Sequence, residues 1–335
     1  MKLDEAQRTK VIDGVIAALH EEYVFPTAVP KIAKRLRANT QRYATKSPEK
    51  LAKLLSQDLH EITRDKHLAV SYSEAPIGPD AAADGALAAE QKAAMRVHAA
   101  QFNAFFVKLE RLPGNIGYLR LDGFAHPMVS AGPAAAAMTF LADTDELIID
   151  LRTCGGGHAE AVAMMISYLF DGSEPVRLND IYWRPDDTTR QHWIMPVAGR
   201  RYADKPVYVL VGPRTFSGAE DFAYTVRTLK RAKIVGEPTG GGAHPCRRRR
   251  LTPNFAVIVP IGRSINPITG RNWERVGVTP DIKVAEAKAF DAAYVAALRS
   301  QRKRIDPKRM PKDFVPSLSD EIDRALENAG AKPAR

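Results

Sequence analysis

PVYVLVGPRTFSGAEDFAYTVRTLKR, residues 206–231, reads as an apolar strand, a short polar turn and an amphipathic helix that begins near Gly218. Ser217 stands at the junction. A serine there is a favoured helix cap, and it is equally a candidate nucleophile, because an oxyanion formed on its substrate would face unpaired backbone N–H groups and the positive end of the helix dipole. Position alone leaves both readings open.

A second strand-to-helix passage, DELIIDLRTCGGG at 145–157, ends in three glycines before His158. Three residues without Cβ let backbone amides approach a ligand closely, as an oxyanion hole requires, and they also suit a plain turn. IGYLRLDGF from 116, KIVGEPT from 233 and FAVIVPIG from 255 are further strand-like runs, with helical patterns at 131–141, 159–170 and 218–230. The region from Gly114 therefore predicts an α/β domain. Upstream, Val11, Ile12, Val15, Ile16 and Leu19, then Ile32 and Leu36, then Leu51, Leu54, Leu55, Leu59 and Ile62 recur at helical spacing and predict a small helical bundle. Leu68, Val70 and Tyr72 alternate with Ala69, Ser71 and Ser73 in a short strand. The expected division is a helical domain with its strand over 1–73, a loop and linking helix over 74–113, an α/β domain over 114–285, and a basic helical appendage over 286–335.

The 335 residues, 45% of them apolar, suffice for two domains of ordinary size. No apolar run approaches the roughly 18 residues of a membrane-spanning helix, and MKLDEAQRTKVIDG carries charges where a secretion signal would be apolar. As written, the chain reads as cytoplasmic, and as periplasmic or secreted if a leader has been removed. Cys154 and Cys246 lack the spacing of a zinc or redox motif and read as reduced thiols. The net charge of +10 includes two basic clusters, Arg247–Arg250 and Arg299–Arg309, without any nucleic-acid-binding pattern beside them. Solvated surface is the expected role, and no nucleic-acid partner is expected.

Read together with GEPTGGGAHP at 236–245, NPITGRNWERVGVTPDI at 266–282 and DKHLAV at 65–70, the two passages resemble the tail-specific protease family. The resemblance is to the branch that includes tricorn protease and the repeats of interphotoreceptor retinoid-binding protein. It implies an N-terminal helical domain followed by a ββα-spiral domain of the crotonase and Clp-protease type. It also implies Ser217 as nucleophile, His67 as base and Glu274 as the acidic member. The Gly218 amide, with that of Gly155 or Gly156, would form the oxyanion hole. The implied activity is hydrolysis of peptide or protein substrates without cofactor or metal. The alternatives are a catalytically silent carrier of a hydrophobic ligand on the same scaffold, and crotonase-like chemistry on an acyl thioester.

The chemistry agrees with that assignment, since serine needs a base to take its proton and the base needs a group to orient it. His67 lies 150 residues before the serine, so the site would be assembled across the two domains. Two departures from the family matter. The better-known branch pairs serine with a lysine after GE-x-T, and GEPTGGGAHPC has none; Lys66 is better read as a strand-edge residue facing water. Residues 74–113 also lack the strand-rich pattern of a PDZ module. His158 reads as a solvent-facing or helix-starting histidine before it reads as a site residue, and His244, after its glycines, as a polar loop residue. Asp65 could orient His67 or cap local backbone, and Trp183, Trp193 and Trp273 read as packing residues before groove-lining ones.

Overall fold

The computed structural model describes residues 3–80, 89–305 and 314–331. In chain order the elements are α1 (Glu5–Glu22), α2 (Val29–Ala38), α3 (Pro48–Thr63), β1 (Ala69–Tyr72), α4 (Ala89–Gln101), β2 (Phe106–Leu112) and β3 (Ile116–Leu121). There follow α5 (Pro127–Leu141), β4 (Glu146–Asp150), α6 (Ala159–Ser167), β5 (Arg177–Trp183), β6 (Thr188–Trp193), β7 (Val207–Val211), α7 (Gly218–Thr228) and β8 (Lys233–Gly236). The chain continues through β9 (Cys246–Arg250), β10 (Phe255–Pro260), β11 (Gly262–Ile265), β12 (Ile282–Lys283), α8 (Ala289–Arg304) and α9 (Phe314–Asn328).

These elements form two compact units, each drawing on separated stretches of sequence. The first comprises residues 1–92, 179–191 and 242–275. Its helices start on the expected chemistry: Asp4 and Gln7 close a reciprocal cap at α1, and Ser47 accepts from the Lys50 amide ahead of α3. α3 ends where Arg64 turns left-handed, which releases the chain toward β1. The apolar stripes of α1, α2 and α3 do not close on one another alone. They pack with Leu68 and Val70 and with Phe255, Val257 and Val259 of β10, in a three-stranded antiparallel sheet ordered β1-β10-β9. The same unit holds the antiparallel sheet β11-β5-β6.

Arg247 and Arg249 of the basic cluster on β9 pair with Glu22, and Arg249 also with Glu21 and Asp80, so half of that cluster is spent on ion pairs within this unit. The C-terminal cluster extends past residue 305, beyond the described residues; within them Arg302 pairs with Asp323 and Arg304 with Glu146.

The second unit comprises 93–178, 192–241 and 276–335. Its six-stranded sheet runs β12-β8-β7-β4-β3-β2, parallel except for antiparallel β2 at one edge. Every residue of ELIID in β4 and VYVLV in β7 is buried, as central parallel strands covered on both faces require. On one face Ile148, Tyr208, Leu210 and Val235 meet Ala289, Ala293 and Ala297 of α8, with Ile322 and Leu326 of α9 behind them. Helices α8 and α9, from the segment expected as a basic helical appendage, thus cover a face of the sheet. Alanines four apart on α8 let the helix approach the strands closely, a signal its basic last turn obscured. β2 likewise brings part of the expected linker into the sheet. Among the described residues, no helix is long and apolar enough to cross a membrane.

Candidate functional site

In the second unit, Ser217 sits between buried β7 and the start of α7 with φ 54° and ψ −121°, a conformation that non-glycine residues rarely adopt. Several contacts hold it there. The Phe216 amide donates to the Cys154 carbonyl at 3.0 Å, and the Thr215 hydroxyl donates to the Leu151 carbonyl at 2.8 Å. Buried Glu220, one turn into α7, accepts the Ser217 amide at 2.9 Å, the Thr239 hydroxyl at 2.5 Å and the Gly241 amide at 2.6 Å. A single carboxylate therefore ties the serine turn to the GEPTGGG loop.

The glycine turn packs directly on this junction. Gly156 has φ +100°, and a Cβ there would lie 2.6 Å from the Gly218 nitrogen, 2.7 Å from the Phe216 carbonyl oxygen and 2.9 Å from the Ser217 Cβ. Gly157 is equally committed, since its Cβ would fall 2.2 Å from the Phe124 carbonyl oxygen. Gly155 has open space around it. The three amides differ in use. That of Gly155 donates to the Asp122 carbonyl at 3.4 Å, and that of Gly156 turns toward the Cys154 thiol, which burial pushes up to about 12. The Gly157 nitrogen lies beside Gly218, 3.0 Å from where a Cβ on that residue would be, and neither the Gly157 nor the Gly218 amide has an acceptor among the described residues.

In the first unit, Asp65, His67, His244 and Glu274 form one cluster. Asp65 is buried at the α3–β1 corner; its Oδ1 accepts the His67 backbone amide at 3.0 Å, and its Oδ2 lies 2.7 Å from His244 Nδ1. Glu274 Oε2 accepts the Ala243 amide at 2.7 Å and stands 3.5 Å from the same His244 nitrogen, while its Oε1 is buried without a hydrogen-bond partner. Phe25 meets the His244 ring edge-on at 5.2 Å. Burial, reinforced by the neighbouring His244 and opposed by Asp65, holds the His67 imidazole below its usual range. Burial also raises the Glu274 carboxyl, against the pull of His244 and the Ala243 amide.

Of the residues marked in the sequence, this unit brings together His67 and Glu274, with His244 and Asp65 as the groups that set their charge environment. His244, read from sequence as a loop residue, is a buried partner of two carboxylates. Its signal was the HP pair after the glycines, which carries no charge information by itself. Lys66 is exposed beside His67. Trp273 is buried, with its indole donating to the Gly242 carbonyl at 2.7 Å, while Trp193 is 39% exposed.

Donor atoms of Asp65, His244 and Glu274 all lie within 4.8 Å of one another, a set of oxygen and nitrogen that could face a divalent cation. The 2.7 Å Asp65–His244 separation is a hydrogen-bond length, whereas two ligands of a tetrahedral zinc bonded at about 2.0–2.1 Å stand roughly 3.3 Å apart. The arrangement is satisfied as a hydrogen-bonded dyad.

Ser217 thus stands in strained backbone between a buried parallel strand and a helix N-terminus, pressed against a glycine turn, within an α/β unit. Sequence comparison gives the family. Residues 115–284 match the model of peptidase family S41, and residues 3–104 match that of the N-terminal domain of peptidase S41 in eukaryotic IRBP. The chain belongs to peptidase family S41. It is 30% identical over 189 residues to carboxyl-terminal-processing peptidase 2, chloroplastic, of Arabidopsis thaliana, covering 52% of this chain and 34% of the relative. It is 27% identical over 170 residues to the chloroplastic C-terminal processing peptidase of Tetradesmus obliquus, covering 50% and 35%. It therefore spans about a third of the length of these relatives.

In fold it is similar to the photosystem II D1 C-terminal processing protease, with a TM-score of 0.52 at 15% identity over 83% of this chain and 93% of that one. Mature CPAF gives 0.58 at 13% identity over 88% and 97%, and tricorn protease 0.54 at 13% over 97% and 37%.

Proposed function

We propose that this chain is a serine peptidase that hydrolyses peptide bonds through an acyl-enzyme, with Ser217 as nucleophile, His67 as base and Glu274 as supporting carboxylate. The observation that carries the reading is the strained, pinned Ser217 turn packed on Gly156 and Gly157 at the start of α7. Strain of this kind persists only where the surroundings over-determine it, and it collects at functional sites.

In this mechanism the Ser217 hydroxyl attacks the substrate carbonyl while His67 takes its proton. A histidine kept neutral by burial is already in the form a base needs. The oxyanion accepts from the Gly218 amide, at the positive end of α7, and from a glycine of the 155–157 turn. Gly155 and Gly156 are the partners expected from sequence. Gly157 suits the role better, because the Gly155 amide is spent on Asp122 and that of Gly156 turns toward Cys154. Collapse of the tetrahedral adduct expels the amine, which takes its proton from His67, and water then hydrolyses the ester by the same path. Glu274, with its unpaired Oε1, and the Asp65–His244 dyad supply the negative charge that stabilises the imidazolium.

The same reading takes the 114–285 region as a ββα-spiral of the crotonase and Clp-protease type, supported by its strand and helix order and by the likeness to S41 protease folds. The IRBP match over 3–104 favours a second reading, a catalytically silent carrier of hydrophobic ligands. A fluorophosphonate probe separates the two: wild type should label and Ser217→Ala should not. Unlabelled wild type that binds a hydrophobic fluorophore stoichiometrically would establish the carrier instead.

A further inference from the structure

Beside the glycine turn, and wholly within the second unit, lies a cavity of about 420 Å³. Gly156 forms part of its wall, and a Cβ on that residue would lie 2.9 Å from the Ser217 Cβ, so the cavity is one residue away from the serine. Its other walls are apolar and aromatic: Met95 from α4, Phe105 from the turn before β2, Phe124 after β3, and Val129 from α5. Phe124 stacks on Phe222 of α7 at 5.8 Å, so its floor is fastened to the helix that carries the serine. Three imidazoles complete the wall: His98 from α4, and His126 and His158, which meet edge to face at 5.1 Å.

Charge narrows what this cavity can hold. The carboxylate at its edge, Asp122, is already engaged by Arg120 through two contacts of 3.0 Å and by the Thr153 hydroxyl at 2.6 Å, leaving little for an incoming cation. No lysine or arginine is among the described residues lining the cavity to pair with an incoming carboxylate, and desolvation, together with the facing His126, holds the His158 imidazole below the usual range. A volume within the range of small ligand pockets, walled by Met95, Phe105, Phe124 and Val129 and lined by no lysine, no arginine and no unengaged carboxylate, suits an apolar side chain.

Position fixes which residue supplies it. A carbonyl seated over Ser217 and the Gly157 and Gly218 amides belongs to the residue that becomes the acyl group, and that residue's side chain starts one bond from the carbonyl carbon. We infer that the cavity between the glycine turn, α4 and α5 is the primary specificity pocket, receiving an apolar or aromatic side chain from the residue on the acyl side of the cleaved bond. The inference rests on the peptidase reading and adds to it a substrate class.

The test is a set of peptides varied only at the acyl-side residue, assayed with wild type, Val129→Asp and Val129→Thr. Wild type should cleave Phe, Leu or Met peptides with kcat/KM about 10- to 100-fold above Asp or Lys peptides, as full burial of such a side chain implies. Val129→Asp should abolish that preference. Val129→Thr, nearly the same shape with one hydroxyl added, should reduce it several-fold, and it serves if the aspartate variant fails to fold. Equal turnover of all peptides, a preference confined to the amine side, or a preference unchanged in the threonine variant would overturn the assignment. Wild type that neither labels with fluorophosphonate nor cleaves any peptide overturns the peptidase reading, and the pocket assignment falls with it.

Discussion

Replacing Gly156 by alanine tests how tightly the glycine turn and the serine turn are joined. The new Cβ would sit 2.6 Å and 2.7 Å from the backbone atoms Gly218 N and Phe216 O, where no flexible side chain can yield, and the residue would hold φ +100°. The conformation costs an L-residue about 1–3 kcal/mol and the overlap about 1–3 kcal/mol more. The sum, about 2–6 kcal/mol, is a large part of the 5–15 kcal/mol typical of a folded domain. A urea midpoint should therefore fall by about 0.7–2 M for a slope near 3 kcal/mol per M. Relief of the clash must move one turn against the other, and a shift of about 1 Å at a reacting atom costs on the order of 100-fold in rate. Gly155→Ala is the control, because nothing lies within 4 Å of its Cβ and its φ is not left-handed. It should leave the unfolding free energy within about 0.5 kcal/mol of wild type. Denaturation and the rate of fluorophosphonate labelling measure both effects. Gly156→Ala with wild-type midpoint and labelling would show that the two turns are not in contact as described.

Glu220→Ala orphans the Ser217 and Gly241 amides and the Thr239 hydroxyl, each worth about 1–3 kcal/mol when buried and unsatisfied, and should lower the melting temperature and slow labelling together. His67→Ala should cost about 100- to 10,000-fold in kcat while Lys66→Ala costs little; equal losses would favour a lysine base. Glu274→Gln should lower kcat strongly with a smaller change in KM, since charge on the cluster acts mainly in the transition state; near-normal kcat would make Glu274 structural. The base must be neutral, so activity should hold above the His67 pKa and fall as pH drops through it. Because burial lowers that pKa, the acid limb of kcat/KM should lie below about pH 6.5, and Asp65→Asn, which removes the charge that raises it, should move the limb lower still. A limb at or above pH 7 in wild type would contradict the buried environment of His67.

Much of the site was legible in the sequence because its logic is local. The strand, the polar turn and the helix around Ser217 are contiguous, and the strands at 146–150 and 207–211 declare their burial by continuous apolar runs. The glycines at 155–157 announced a turn with close approach, although sequence could not say which positions forbid a Cβ or which amide stays free. Family resemblance, and not periodicity, singled out His67 and Glu274.

Tertiary structure decided what depends on distant partners. His244 looked like an ordinary loop residue until folding set it 2.7 Å from Asp65, 179 residues earlier, and 3.5 Å from Glu274. Glu220, with no role assigned from sequence, gains one only where the loop at 239–241 closes on it. Segment 242–275 shares a unit with the N-terminal helices, and α8 shares one with the central sheet, because the apolar stripes of α1–α3 and the upper face of β4 and β7 each needed a surface that their own neighbours in sequence did not supply. Local pattern encodes which face of an element is apolar; only the folded chain determines what covers it.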